Sequence, residues 1–295
     1  MQPVRQSIGI PELDPMLGGG LIPGTLTVIV GASGVGKTQL GLAWAHAGRH
    51  QEHRSGALLD FGSRGDSQNH QDYAQALWGW TLEKYPLARC DASTLFEENA
   101  PPASTLSFLG YEGKRVLRSQ LDTDQWHAWQ SQLNRQTPIL SEFIYRHLVF
   151  GTRRFLVDGI EPLDNPEDSL QLDLLELVYH RMLRQEHDWL AREVLRQNYR
   201  SFETQVNARA YAHQHASAVV LVTTRENMLE QLIAKPFAEG DLSAGANTVI
   251  LMGRILDGGR LKRGLYVAKH RGSYCDDSIR TFEITDRGLV LSPSA

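Results

Sequence analysis

The sequence predicts an α/β fold with a mainly parallel central sheet and antiparallel C-terminal strands. Three observations predict it. Residues 26–30 (LTVIV), 154–158 (RFLVD) and 218–223 (AVVLVT) are continuous apolar runs rather than alternating ones, as strands buried on both faces are. Stretches of helical composition separate these runs, the alternation that gives a parallel sheet. Near the C-terminus, residues 248–252, 264–269 and 280–284 follow one another closely. Turn signals lie around them, Asp257-Gly258-Gly259 and Thr285-Asp286-Arg287-Gly288, which predicts antiparallel pairing.

Each element follows in order. Residues 7–24 (SIGIPELDPMLGGGLIPG) are punctuated by Gly and Pro and form a loop-rich lead-in with one helical turn. The first strand, 26–30, runs into a Gly-rich loop at 31–36 and a helix over 37–47. A second strand is expected at 56–61. Residues 68–85 carry Tyr73, Ala76, Leu77 and Trp80 at helical spacing. Residues 86–140 hold Pro101-Pro102, many polar residues, Trp126 and Trp129, and read as a partly helical excursion from the core. Residues 167–214 read as two helices, with 198–204 weakening the middle. No internal repeat is present, so residues 1–295 are expected to form one domain with divergent inserts at about 86–140 and 167–214.

Bulk properties narrow the function. Hydrophobic residues make up 41% of the 295, enough for a core, which excludes a disordered chain. The formal net charge is -4 and the pI about 6.3. That balance disfavours general affinity for nucleic acid or an anionic membrane, without speaking to a local basic strip. Cys90 and Cys275 have no metal-like spacing and are expected to be reduced thiols. The N-terminus has no apolar stretch of signal-peptide length, and no run approaches a membrane span, so a soluble cytoplasmic protein is expected.

Chemistry is concentrated at residues 31–38, GASGVGKT, a complete G-x-x-x-x-G-K-[ST] pattern between a β-branched strand and a helix. Gly31, Ala32, Ser33, Gly34, Val35 and Gly36 let the backbone curl so that successive N–H groups face a phosphate. The helix beginning at Lys37, Thr38 and Gln39 presents its positive end to the same anion. Lys37 can reach the β and γ oxygens, and Thr38 supplies an oxygen for Mg²⁺. The expected ligands are ATP, or another purine nucleoside triphosphate, and magnesium. Asp158 ends an apolar strand, where such proteins place an acid near the metal. Thr223 and Thr224 end the fourth strand and could sense the γ-phosphate; they serve equally well as ordinary strand formers.

The segment IGIPELDPMLGGGLIPGTLTVIVGASGVGKT resembles the opening of KaiC-like and RadA-like members of the RecA superfamily. Residues 246–288 resemble the KaiC end region more narrowly. The resemblance is weak through 86–140 and 167–214. It implies a RecA-like P-loop NTPase core that assembles as a homo-oligomeric ring, commonly a hexamer, with ATP between subunits. It also implies that Lys269 and Arg271, in Lys269-His270-Arg271-Gly272-Ser273, reach the neighbour's γ-phosphate as trans-acting cations.

Two departures from the family pattern stand out. The family carries two adjacent glutamates after the second strand, one polarising the attacking water. Here the stretch reads Asp60-Phe61-Gly62-Ser63-Arg64-Gly65-Asp66-Ser67. Asp66 replaces a glutamate if a short insertion shifts the register; Asp60 is the weaker candidate because strand alternation is expected to turn it away. Slow or conditional hydrolysis follows if no base is present. Where the clock protein has a Ser-Thr phosphorylation pair, this chain has Ser243 and Ala244, so a two-site cycle is not expected.

Histidine pairs such as His180 with His187 lack carboxylates in a recognisable metal motif. The tryptophans read as packing residues. The basic region around Arg260, Lys262, Arg263, Lys269 and Arg271 fits a subunit boundary or a ring pore. The leading expectation is a ring ATPase whose nucleotide state controls assembly and binding of a protein partner. The alternatives are a catalytically weak nucleotide-binding scaffold and a RadA-like DNA-handling ATPase.

Overall fold

The computed structural model describes residues 4–62, 70–97, 102–108, 121–161, 170–235 and 242–293. Asp66 lies outside them.

The lead-in contains one 3-10 turn, Pro15–Leu17. It enters β1 (Leu26–Ala32), and the loop beyond leads to α1 (Lys37–Gln51). Then come β2 (Ala57–Asp60), α2 (His70–Trp78), β3 (Thr105–Ser107) and the long α3 (Thr123–Val149). β4 (Arg154–Ile160) is buried along its whole length. A helical run follows: α4 (Leu170–Glu176) with a π-helical continuation Leu177–Leu183, α5 (His187–Leu195) and α6 (Tyr199–Ala208). β5 (Ser217–Thr224), α7 (Leu229–Ala234) and α8 (Leu242–Gly245) precede four closing strands, β6 (Thr248–Asp257), β7 (Arg260–His270), β8 (Arg280–Thr285) and β9 (Gly288–Leu291).

Among the described residues the strands form one nine-stranded sheet, in the order β3-β2-β4-β5-β1-β6-β7-β8-β9. Pairings from β3 through β6 are parallel, and those from β6 through β9 antiparallel. The predicted mixed α/β class is therefore the observed one. β1 lies between β5 and β6, so the loop after it opens at the middle of the sheet.

Strand alternation divides the core into two layers. Val28, Leu59, Val157, Val220 and Val249 pack with Phe143, Leu190 and Val194 from α3 and α5. Ile29, Leu58, Leu156, Leu221 and Ile250 pack on the other side with Leu40 and Trp44 of α1 and with Ile8, Leu13 and Leu17 of the lead-in. The fully buried Arg154 ties that lead-in down. It donates to the carbonyls of Ser7 and Trp44, both at 2.7 Å, and pairs with Glu52 at 2.8 Å.

Two local expectations are corrected. Part of the 86–140 stretch belongs to the sheet: β3 pairs with β2 as an outer strand. Three residues are too few to show a periodicity. Residues 199–208 are helical rather than a break, because Tyr199 and Val206 bury on the core. The chain turns instead before α5 and at Arg196, whose φ is 50°. Gly288 ends a tight turn and begins β9, which pairs Leu291 with Phe282 of β8.

Candidate nucleotide site

The loop after β1 is shaped by close approach. A Cβ on Gly31 would stand 2.4 Å from the Met252 carbonyl oxygen of β6. Gly36 has φ 117°, a conformation that L side chains rarely adopt, and immediately precedes α1. No side chain caps that helix end and no acid lies in its first turn. Its leading N–H groups and its dipole therefore suit an anion. Ser33 and Gly34 are exposed, Ala32 and Val35 buried. Gln39, in the first turn, has a buried Oε1 with no hydrogen-bond partner among the described residues.

Lys37 is buried and donates to the carbonyls of Gly31 and Ala32, both at 2.8 Å, so it lies folded across the loop. Burial pushes its ammonium down to about 8, against the opposing pull of Asp158. Thr38 donates from Oγ1 to Asp158 Oδ2 at 2.9 Å. The sequence-predicted pair thus meets across α1 and β4, 120 residues apart. A hydroxyl beside an almost fully buried carboxylate is a hard-oxygen donor set that fits magnesium. Among the described residues no cluster of three or more His, Cys, Asp or Glu is placed to hold a metal ion.

Two further side chains enter the site. Asp60 is the register partner of Asp158 on neighbouring parallel strands, so the two project to the same side of the sheet. The expectation that alternation turns Asp60 away is not met. Its Oδ1 accepts from the Gly62 N–H at 2.8 Å, and burial raises its carboxyl pKa although the nearby His70 charge opposes this. His70, at the start of α2 and buried, stands with Nε2 3.0 Å from Asp158 Oδ2. Burial alone would lower its pKa; the Asp158 hydrogen bond and the charges of Asp158 and Asp60 outweigh that and raise it. Sequence pattern gave no sign of His70, since nothing in its spacing links it to the loop.

Thr223 and Thr224 are register partners of Gly31 and Ala32, at the same end of the sheet as the loop. The Thr224 hydroxyl donates to Glu226, whose carboxyl is held down at about 2 by that bond and by Lys235. Lys269 and Arg271 are not brought to this loop. Lys269 pairs with Val249, which pairs with Val28 near the opposite end of β1. There Lys269 donates to the carbonyls of Ser243 at 3.0 Å and Ala244 at 2.7 Å, and Arg271 to Ala244 at 3.3 Å. His270 between them is buried and anchored to Thr248 at 2.8 Å and to the Leu17 carbonyl at 3.1 Å.

The family model described as "ATPase: KaiC" matches residues 6–100, which hold the lead-in, the loop and Asp60. Over 52 residues the chain is 48% identical to proteins named DNA repair protein RadA from two strains of Mycobacterium tuberculosis. It is 46% identical to one of the same name from Mycolicibacterium smegmatis. Over residues 6–100 the chain is therefore similar to KaiC-like ATPases of the RecA/RadA superfamily. The RadA alignments cover 16% of this chain and 11% of each relative, so they speak for a segment and not for those proteins as wholes. No described helix is long and apolar enough to cross a membrane.

Proposed function

We propose that the chain is a magnesium-dependent ATP hydrolase whose single domain, residues 1–295, works in a homo-oligomeric ring, commonly a hexamer, in the cytoplasm. The observation that carries this reading is the convergence of Lys37, Thr38 and Asp158 at one end of the sheet, with Thr38 and Asp158 in hydrogen bond. Lys37 leaves its two carbonyl partners to neutralise the β and γ oxygens. Backbone N–H groups from Gly34 to Gln39 hold the phosphates. Thr38 and Asp158 support the metal, which when bound draws charge off the phosphate oxygens. Asp66 polarises the attacking water, with Asp60 as the second acid at the mouth of the site. Lys269 and Arg271 stabilise the transferring phosphoryl of the neighbouring subunit, a role supported by their distance from their own loop. Nucleotide occupancy then controls assembly and a surface for a protein partner.

The test is ATP turnover with Mg²⁺ at several protein concentrations, beside Lys37→Ala. Specific activity that rises with concentration and vanishes in the variant supports the ring reading. Tight binding without turnover would sink hydrolysis and leave a nucleotide-controlled switch, the reading favoured by the absence of the adjacent glutamate pair that the family carries after the second strand. A DNA-handling ATPase has support from the names of the matched relatives and is opposed by the net charge of -4. Stimulation by single-stranded DNA at low salt would establish it.

A further inference from the structure

Asp158 accepts hydrogen bonds from three separate elements. Gly159 N–H donates to Oδ1 at 2.7 Å, Thr38 from α1 donates to Oδ2 at 2.9 Å, and His70 from α2 stands 3.0 Å from the same Oδ2. The Gly159 donor is Asp158's own neighbour in the chain and follows whatever the strand does. Thr38 has a second task in the site, because its oxygen must also face the metal. Among the described residues His70 is a third donor, and its side chain is held in the core. It is 6% exposed at the beginning of a helix whose Ala74 is also buried in the core. With hydrogen on Nε2, a neutral imidazole can donate to Oδ2 without consuming any group the nucleotide needs.

The neighbourhood explains why a fixed donor is required there. Asp60 and Asp158 are register partners, so two carboxylates share one small volume. Asp60 is held by Gly62 N–H and by Ser107 at 3.4 Å. Mutual repulsion would swing Asp158 about its side-chain bond, away from Thr38 and from any metal beside it. A donor on Oδ2 opposes that rotation. The arrangement is that of an outer-shell partner orienting a carboxylate next to a metal.

We propose that His70 is a positioning residue for magnesium: it holds the Asp158 carboxylate in the plane that serves the metal beside Thr38. The role rests on the magnesium reading of the site given above. It couples α2, which follows directly on the segment carrying Asp66, to the occupancy of the metal.

The test uses the full chain and measures ATP affinity by calorimetry across a magnesium titration and again in EDTA, for wild type, His70→Gln, His70→Asn and Thr38→Ala. Glutamine reaches far enough to place an amide donor where Nε2 stands; asparagine does not. Expected is an increase of about 10–100-fold in the magnesium needed for half-maximal ATP affinity in His70→Asn. Affinity in EDTA stays within about twofold, and His70→Gln stays near wild type. Thermal melts of each variant confirm folding. Equal losses with and without magnesium would make His70 merely structural and overturn the proposal. No change in either variant would overturn it as well. A wild type whose ATP affinity ignores magnesium, with Thr38→Ala unchanged, would instead overturn the magnesium reading itself, and this proposal with it.

Discussion

Lys37 and Lys269 lie near opposite ends of the same central strands. Lys37 begins the helix after the loop that follows Ala32, whereas Lys269 is level with Val28 through Val249. From Val28 to Ala32 the strand advances about 13 Å at about 3.3 Å per residue. A cation at that end cannot serve its own loop, although it can serve a neighbour's.

Mixing experiments follow from that separation. Arg271→Ala is expected to bind ATP within about threefold of wild type yet to lose about 10³-fold or more in turnover, the scale of a trans-acting arginine. Lys37→Ala is expected to lose binding. Mixed together, the two inactive variants should regain part of the activity, because some interfaces then pair an intact loop with an intact finger. Turnover by the mixture no higher than that of either variant would refute the trans role.

The acid that ends β2, Asp60, and the one that follows it in sequence, Asp66, can be separated. Asp66→Asn is expected to lower kcat by about 10²–10⁴-fold with ATP affinity kept, as loss of a general base does. Asp60→Asn should change kcat less, since Asp60 is held by Gly62 and Ser107. Steady-state kinetics of both variants decides the matter, and a larger loss at Asp60 would transfer the role to it.

His147 on α3 is almost fully buried, with Nδ1 3.1 Å from Thr152 Oγ1 and Nε2 3.1 Å from the Ala103 carbonyl. Burial pushes its pKa down to about 4 from an ordinary 6.5. The unfolded chain therefore takes up this proton first as the pH falls. The stabilising contribution is complete above about pH 6.5 and is lost progressively as the pH falls through 4. The linked loss is about 3 kcal/mol. Chemical denaturation between pH 7 and 4 should show a steeper decline for wild type than for His147→Gln; parallel curves would contradict this.

Arg154 is expected to be the costliest single anchor. Arg154→Leu takes the guanidinium away from the Ser7 and Trp44 carbonyls and leaves Glu52 without its cation, with Gln6 still donating to its Oε1. Breaking such a buried pair costs about 3–5 kcal/mol. At roughly 2–4 °C per kcal/mol, the melting temperature should fall by about 10 °C. Amide exchange should rise first in the lead-in around Ser7 and Ile8. An unchanged lead-in would show that its apolar contacts suffice without the arginine.

The mixed α/β class, the parallel-then-antiparallel sheet and the loop with Lys37 and Thr38 were legible in sequence, because each depends on local spacing. A β-branched run, a Gly-rich turn and a helix start within a dozen residues leave few alternatives. Asp158 was legible in position, as an acid following an apolar run, although β4 continues two residues past it to Ile160. β3 and the breaks between α4, α5 and α6 were not, since three-residue pairings and buried faces are settled by contacts distant in the chain. Only the tertiary structure set Asp60 beside Asp158 and brought His70 onto the same carboxylate. It alone also put Lys269 and Arg271 beyond reach of their own loop. Those relations follow from the order and register in which strands assemble, which many residue patterns share, whereas a phosphate loop is written in consecutive residues.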